Sequence, residues 1–424
     1  TDFSGVAFTQ DDIDNGRVKF TFTAAPGSQV RVFEEDSFSF TVSDGEDSTV
    51  VGATFSIRNT TTQVWGTNAN DDLTGVADFD QAGKTFHVYG FNGDDSLVGG
   101  AGNDTLVGGF GYDTLHGGDG DDWFQDGPGS YHDTHTGDSL VGGAGIDTVD
   151  YSNSHDLCRV DLTNFEYSYY NSVSSDAYYD TLVGIENIVG SGFSDKLLGD
   201  NGANLIRGLG GRDYILGRGG DDTLDGGAGA DSMDGGTGAD MADYSGSASW
   251  VQVNLTLATA QVGGGANNEA LGDTLAGIEN LTGTNDVAHG DVLTGNNLAN
   301  LLSGLAGNDT LDGGADNDTL IGGLGNDLLL GGAGDDLIHA GAGDTVGGGA
   351  GFDVLRSEDA QLDITSSTTM TGIERVELTG AGERLTVGGD AIVTNGVLDP
   401  AGDGAYMLMV TGELGDVVDY SGDD

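Results

Sequence analysis

Cysteine is almost missing from this chain: Cys158 is the only one among 424 residues, so no intrachain disulfide can staple the fold, and the thiol reads as a small buried hydrophobe. Proline occurs three times. Positive charge is scarce, with 13 Lys and Arg against 70 Asp and Glu and a formal net charge of −57. A field of that sign repels nucleic acid and anionic membranes, and it opposes compaction unless cations neutralise it. No apolar run approaches the ~20 residues that cross a bilayer, which excludes membrane insertion by helices. The catalytic signatures sought are missing as well. There is no HExxH and no GxSxG, and acidic pairs are too numerous for any one to stand out as a glycosidase pair. The segment His132-Asp133-Thr134-His135 lies beside Pro128 and Gly129 and reads as an exposed loop rather than a metal site. The chain is therefore expected not to be an enzyme.

What is abundant is glycine, 78 residues, with only 37% hydrophobic residues. That balance argues against one large core and for a thin repetitive architecture. The glycines are phased. Gly190 to Asp243 divides into six consecutive nonapeptides, Gly90 to Gln125 into four, and Gly295 to His339 into five. An eight-residue unit from Ala340 to Gly347 and a further unit from Gly348 to Arg356 follow. One unit reads Gly226-Gly227-Ala228-Gly229-Ala230-Asp231-Ser232-Met233-Asp234, with glycine at positions 1, 2 and 4, Asp at 6 and an apolar residue at 8. Glycine permits a positive φ and a close backbone approach. Aspartate offers a hard anionic oxygen. The last three residues form a short strand whose middle side chain points inward. Position 8 carries Leu97, Leu106, Leu115, Phe124, Leu197, Ile206, Ile215, Leu224, Met233, Leu302, Leu311, Leu320, Leu329, Ile338 and Leu355, one apolar file in phase with the acids. A disordered acidic linker has no reason to keep that phase.

These units resemble the GGxGxDxUx calcium-binding nonapeptide of the RTX (repeats-in-toxin) proteins, over roughly residues 66 to 356. The resemblance implies an all-β fold, a right-handed parallel β-roll or β-helix with calcium turns. It also implies several Ca²⁺ ions, each held between turns two repeats apart by position-6 carboxylates and backbone carbonyls. The ligands carried over are Asp95, Asp104, Asp113 and Asp122 in the first block and Asp195, Asp213, Asp222, Asp231 and Asp240 in the second. The third block gives Asp309, Asp318, Asp327, Asp336, Asp344 and Asp353. Asp71, Asp138, Asp147 and Asp291 hold the same place in isolated or interrupted units. The pairs Asp213/Asp231, Asp222/Asp240, Asp309/Asp327 and Asp318/Asp336 are expected to hold ions most firmly. Asn204 and Asn300 stand at position 6 without a charge, and Phe193 and Asp316 replace the position-4 glycine, so those turns are expected to bind weakly.

The organisation read from the sequence has seven parts. Residues 1–60 carry alternating segments (Arg17 to Thr23, Ser37 to Val42, Ala53 to Ile57) that read as strands, and Phe8 to Ile13 and Asp36 to Gly45 resemble a partial cadherin-like or CSPG-type β-sandwich. Blocks of repeats follow at 61–150, 190–243 and 283–356, separated by irregular β-helix rungs at 151–189 and 244–282, with a β segment at 357–424. A longer period overlies these: Gly142 and Gly235, like Gly184-Ile185-Glu186-Asn187 and Gly277-Ile278-Glu279-Asn280, stand 93 residues apart. A third copy shows Gly372-Ile373-Glu374.

The resemblance further implies a secreted, extracellular bacterial protein that leaves by type I secretion and folds on extracellular calcium. The expected role is a structural or adhesive segment at the cell surface. The alternative is a calcium-binding carrier for an enzyme or toxin whose catalytic part lies outside this sequence. The partner beyond calcium stays open between a surface glycan, lipopolysaccharide and a second copy of the chain. The start at Thr1 and the end within Gly415 to Asp424 are read as marking a mature piece of a longer polypeptide.

Overall fold

The computed structural model describes residues 61–74, 84–125, 137–163, 177–357 except 178 and 267, and 369–377, with separate strands at 37–42, 51–56, 361–364, 384–388, 397–398, 406–407, 409–411 and 417–421. Every regular element among them is a β-strand. The strands are short because each nonapeptide spends six residues on a turn and leaves about three for the sheet. With a turn at each end, consecutive strands cannot pair with one another, so each pairs in parallel with the strand 18 residues away. Ile215 stands opposite Met233, Leu302 opposite Leu320 and Leu97 opposite Leu115. The product is a parallel β-roll, two sheets back to back.

One face is continuous. Sixteen strands run from Thr61–Trp65 to Met409–Thr411 in a single sheet, at ~4.8 Å per strand roughly 70 Å long. The opposite face is broken into four sheets of five, five, seven and three strands. The breaks fall where the longer period was seen. After Thr148–Asp150 the chain makes Arg159–Asp161, which pairs forward with Lys196–Leu198, and then Thr181–Val183, which pairs back with Ser139–Ala144. It re-enters the continuous face at Asn187–Val189, directly beside Thr148–Asp150. The same route recurs through Met241–Asp243, Val251–Asn254, Thr274–Ala276 and Asn280–Thr282. It recurs again through Val354–Ser357, Gln361–Ile364, Thr369–Thr371 and Arg375–Glu377. Each excursion closes one sheet of the segmented face and seeds the next.

The core is the space between the faces, one apolar side chain deep on each. All fifteen position-8 residues named from the sequence are buried, joined by Val149, Ile188, Leu281, Leu293 and Val346. Tyr151 and Tyr244, from the Asp-Tyr-Ser segments at the excursions, are its largest fully buried side chains. Cys158 is buried there too.

Of the N-terminal strands expected from alternation, Ser37–Val42 and Val51–Ser56 form an antiparallel pair, while Arg17 to Thr23 lies outside the described residues. No helix among the described residues is long and apolar enough to cross a membrane.

Candidate metal centre

The unit Gly117–Gln125 shows how a turn is built. Gly118 and Gly120 hold φ values of 122° and 123°, a region closed to most side chains. A Cβ on Gly118 would strike the carbonyl oxygen of Gly100, and one on Gly120 that of Gly102, because each turn nests on the turn 18 residues before it. Gly117 has ordinary φ but is glycine for a different reason. A Cβ there would collide with Asp122 Oδ2 and stand 2.8 Å from the carbonyl oxygen of Gly142. The missing side chain leaves a cradle into which a carboxylate oxygen and a carbonyl oxygen of the next stacked turn both face.

The position-6 aspartates form ladders along the edges of the roll. Asp104 N–H donates to Asp122 Oδ1, and Asp122 N–H donates to Asp147 Oδ1, each at 2.8 Å. On the opposite edge Asp71, Asp95, Asp113, Asp138 and Asp180 connect in the same sense, each backbone N–H to the next Oδ1. The second segment repeats this through Asp195, Asp213, Asp231 and Asp273, and through Asn204, Asp222 and Asp240. The third links Asp291, Asp309, Asp327 and Asp344, and separately Asn300, Asp318, Asp336 and Asp353. The eight-residue unit costs the ladder nothing. Asp344 meets Asp327 across 17 residues instead of 18.

Thus every aspartate named from the sequence sits in a ladder, and all but Asp71 are buried. Their second oxygens divide them. In Asp95, Asp104, Asp113, Asp122, Asp147, Asp213, Asp222, Asp231, Asp240, Asp309, Asp318, Asp327, Asp336 and Asp353, Oδ2 is buried and accepts no hydrogen bond. Burying an ionised oxygen without a donor is costly enough to demand a counter-charge. In Asp71, Asp195, Asp291 and Asp344 it accepts an N–H from the same turn, from Thr67, Ser191, Thr284 and Gly341. The first three of these open a ladder. In these turns the position-2 backbone N–H is the donor, and in three of them a Thr or Ser hydroxyl adds a bond to the same carboxylate, so the turn depends less on an ion.

The electrostatics follow from burial. Desolvation, with repulsion from neighbouring carboxylates, pushes Asp213 up to about 8. Asp113, Asp122, Asp222, Asp309 and Asp318 are pushed up to about 7 by desolvation first. Asp95, Asp104, Asp147, Asp231, Asp327 and Asp353 rise to about 6 for the same reason. The backbone N–H on Oδ1 opposes this rise in each case and does not cancel it.

The uncharged turns also have an answer. Asn204 Oδ1 accepts from Asp200 N–H, and its Nδ2 donates to the carbonyl of Glu186 at 2.7 Å. Asn300 does the same with Asn296 N–H and the carbonyl of Glu279 at 2.6 Å. A neutral amide bridges the turns there. Asp316 keeps a φ of 76°, so the position-4 geometry survives loss of glycine at a cost in strain.

Two features escaped the sequence reading. Position 5 carries a second ladder of opposite sense: Asp121 N–H donates to Asn103 Oδ1, Ile146 N–H to Asp121 Oδ1, and Asp335 N–H to Asn317 Oδ1. The recurrent Asp, Asn or Ser at position 5 was its signal. The ladders also end on residues outside the nonapeptides. Asp180 and Asp273 take Oδ2 bonds from the hydroxyls of Tyr151 and Tyr244, and Glu186, Glu279 and Glu374 accept the N–H of Asp147, Asp240 and Asp353. The recurrence of Gly-Ile-Glu marked the three glutamates but not Asp180 and Asp273. His132 and His135 lie outside the described residues.

Among the described residues no three His, Cys, Asp or Glu side chains gather as a metal cluster. A cation at these turns therefore draws on carbonyl oxygens as well as carboxylates, the oxygen-only shell that suits calcium. The orphaned Oδ2 atoms and the cradles beside position-1 glycine fit that ion. Fold and turns together define a parallel β-roll with cation-binding edges. The family model of the RTX calcium-binding nonapeptide repeat (4 copies) matches residues 89–124, 180–215, 207–242, 294–329 and 321–355. Over those residues the chain carries calcium-binding nonapeptide repeats of the RTX type. None of the curated proteins compared matches it.

Proposed function

We propose that this chain is a calcium-dependent structural segment of a secreted or cell-surface bacterial protein, folding as it meets extracellular calcium and carrying no catalysis of its own. The row of buried aspartate Oδ2 atoms without donors is the observation that supports this most directly. Ionised, those oxygens oppose folding; with a divalent ion between stacked turns they favour it, and the binding free energy becomes folding free energy. The formal charge of −57 works in the same direction, since each ion adds two positive charges where carboxylates converge. Extracellular calcium modules bind at about 10⁻⁴–10⁻³ M, so cytosolic calcium leaves such a chain unfolded and an external medium folds it. In this role the roll spaces or anchors a partner at the cell surface: a glycan, lipopolysaccharide or a second copy of the chain.

The test is circular dichroism and small-angle scattering during calcium titration of the chelated chain. The expected outcome is an expanded, weakly structured chain in chelator and an elongated β-rich one at millimolar calcium. Magnesium is expected to substitute poorly because it demands a smaller octahedral shell. A full β signal in excess chelator, unchanged by calcium, overturns the reading.

A further inference from the structure

The Gly-Ile-Glu turns stand where three aspartate ladders stop. Asp147, Asp240 and Asp353 are the last aspartates of their ladders, and all three are fully buried. Each donates its backbone N–H to a glutamate rather than to another aspartate: to Glu186 Oε2 at 2.9 Å, Glu279 Oε2 at 3.0 Å and Glu374 Oε2 at 2.7 Å. Each also keeps an Oδ2 with no hydrogen-bond donor, so the space it faces lacks a partner just as the nonapeptide cradles do.

The carbonyl that completes the cradle is present as well. A Cβ built on Gly142 would meet both Asp147 Oδ2 and the carbonyl oxygen of Gly184. One on Gly235 would meet Asp240 Oδ2 and the Gly277 carbonyl, and one on Gly348 would meet Asp353 Oδ2 and the Gly372 carbonyl. In the nonapeptide stack this place belongs to the position-1 glycine two repeats on, as Gly142 does for Gly117. The new turn reaches it by a shorter path. Gly184 precedes Glu186 by two residues, whereas Gly142 precedes Asp147 by five. Gly184, Gly277 and Gly372 have φ of 61°, 53° and 62°, a single left-handed residue in place of the longer glycine loop. The extra methylene of Glu over Asp restores the reach.

We propose that each Gly-Ile-Glu turn closes a calcium site that the nonapeptide pattern does not contain: Asp147 with Gly184 and Glu186, Asp240 with Gly277 and Glu279, and Asp353 with Gly372 and Glu374. The ion column ends at the glutamate. Beyond Glu186 and Glu279 the amides of Asn204 and Asn300 donate to the glutamate carbonyls, filling the next gap without a charge. The proposal rests on calcium occupying the nonapeptide turns themselves.

Ion counting by equilibrium dialysis on the full chain separates the two. The variants are Glu186→Gln, Glu279→Gln and Glu374→Gln, singly and together; glutamine retains an oxygen for the aspartate N–H and removes the charge. Each single variant is expected to lose one ion, or to weaken one ion at least tenfold, and the triple variant three, with the remaining ions bound at wild-type affinity. Should the triple variant not fold, the singles decide, each scored for one ion. Wild-type counts and affinities in the glutamine variants overturn the proposal and leave the glutamates as hydrogen-bond acceptors only. A wild-type chain that binds no calcium overturns the reading of the nonapeptide turns instead.

Discussion

The nonapeptide stacks and the junctions between them solve the same problem with opposite chemistry. Both must hold turns above one another along the edge of a thin roll, where little apolar surface is available. Within a stack, the aspartates leave buried oxygens that nothing in the chain satisfies, as Asp213, Asp222 and Asp231 do. At the junctions the chain supplies the partners itself. The amides of Asn204 and Asn300 cross between turns, the hydroxyls of Tyr151 and Tyr244 cap Asp180 and Asp273, and the N–H groups of Thr67, Ser191 and Thr284 cap the first aspartates of new ladders. The stacks, up to and including the Gly-Ile-Glu turns that end them, are ion-dependent by construction, and the seams beyond those turns are self-sufficient. The cation requirement is therefore local, and it ends where a donor is written into the sequence.

The comparison is broken most sharply by deleting one side chain of each kind. Asp231→Ala removes the acceptor for Asp213 N–H and an oxygen left without a donor. Asn204→Ala removes two neutral hydrogen bonds. In saturating calcium the first is expected to cost about 2–4 kcal/mol, the range of a bond to a charged group or of one well-bound ion. It should also lower the ion count. The second is expected to cost about 1–2 kcal/mol with the count unchanged. Melting curves and ion counts check both, and equal effects from the two substitutions would remove position 6 as the ligand position.

A smaller effect separates the turn backbones. Gly118→Ala places a Cβ against the Gly100 carbonyl at a φ of 122° and is expected to cost about 1–3 kcal/mol. Gly192→Ala, in the turn where Phe193 replaces the position-4 glycine, meets nothing within 4 Å and is expected to be nearly neutral. Paired thermal melts suffice. A Gly118→Ala variant as stable as wild type would mean that the turns do not nest as closely as the 18-residue register requires.

The same contrast explains what could be read from the sequence. Repetition made the stacks legible: one residue type at one phase, fifteen apolar side chains in file, all of which the fold buries. The aspartate ladder is a consequence of the 18-residue stacking of those phases. Position 5 was harder to read, because Asp, Asn and Ser all accept an N–H and the column mixes them with Tyr112 and Ala230. The junctions were visible only as a recurrence of letters. Nothing local to Gly184-Ile185-Glu186 says that a two-residue spacing with a longer side chain replaces a five-residue spacing with a shorter one. That equivalence appears once Glu186 is placed beneath Asp147. The route by which the excursions cut one face into four sheets while the other runs on through sixteen strands likewise depends on pairing across about 40 residues, which no local pattern encodes.

Acidity sharpens the comparison last, because protons can replace calcium only where carboxylates are buried. Asp213, raised to about 8, and Asp113, Asp122, Asp222, Asp309 and Asp318, raised to about 7, have folded values above the ordinary 3.8. The chelated folded chain therefore binds more protons than the unfolded chain between about pH 4 and 8, and its stability falls as pH rises through that window. The penalty is complete above about pH 8 and absent below the ordinary carboxylate value. Chelated protein brought from pH 8 to pH 5 is expected to regain part of its β signal, while the calcium concentration needed for folding rises as protons compete for the same oxygens. Replacing Asp213, Asp222 and Asp231 by Asn tests the carboxylate contribution directly. The signal recovered at pH 5 is expected to shrink in that variant. A chelated chain with the same signal at pH 8 and pH 5 would show that the buried aspartates do not control folding.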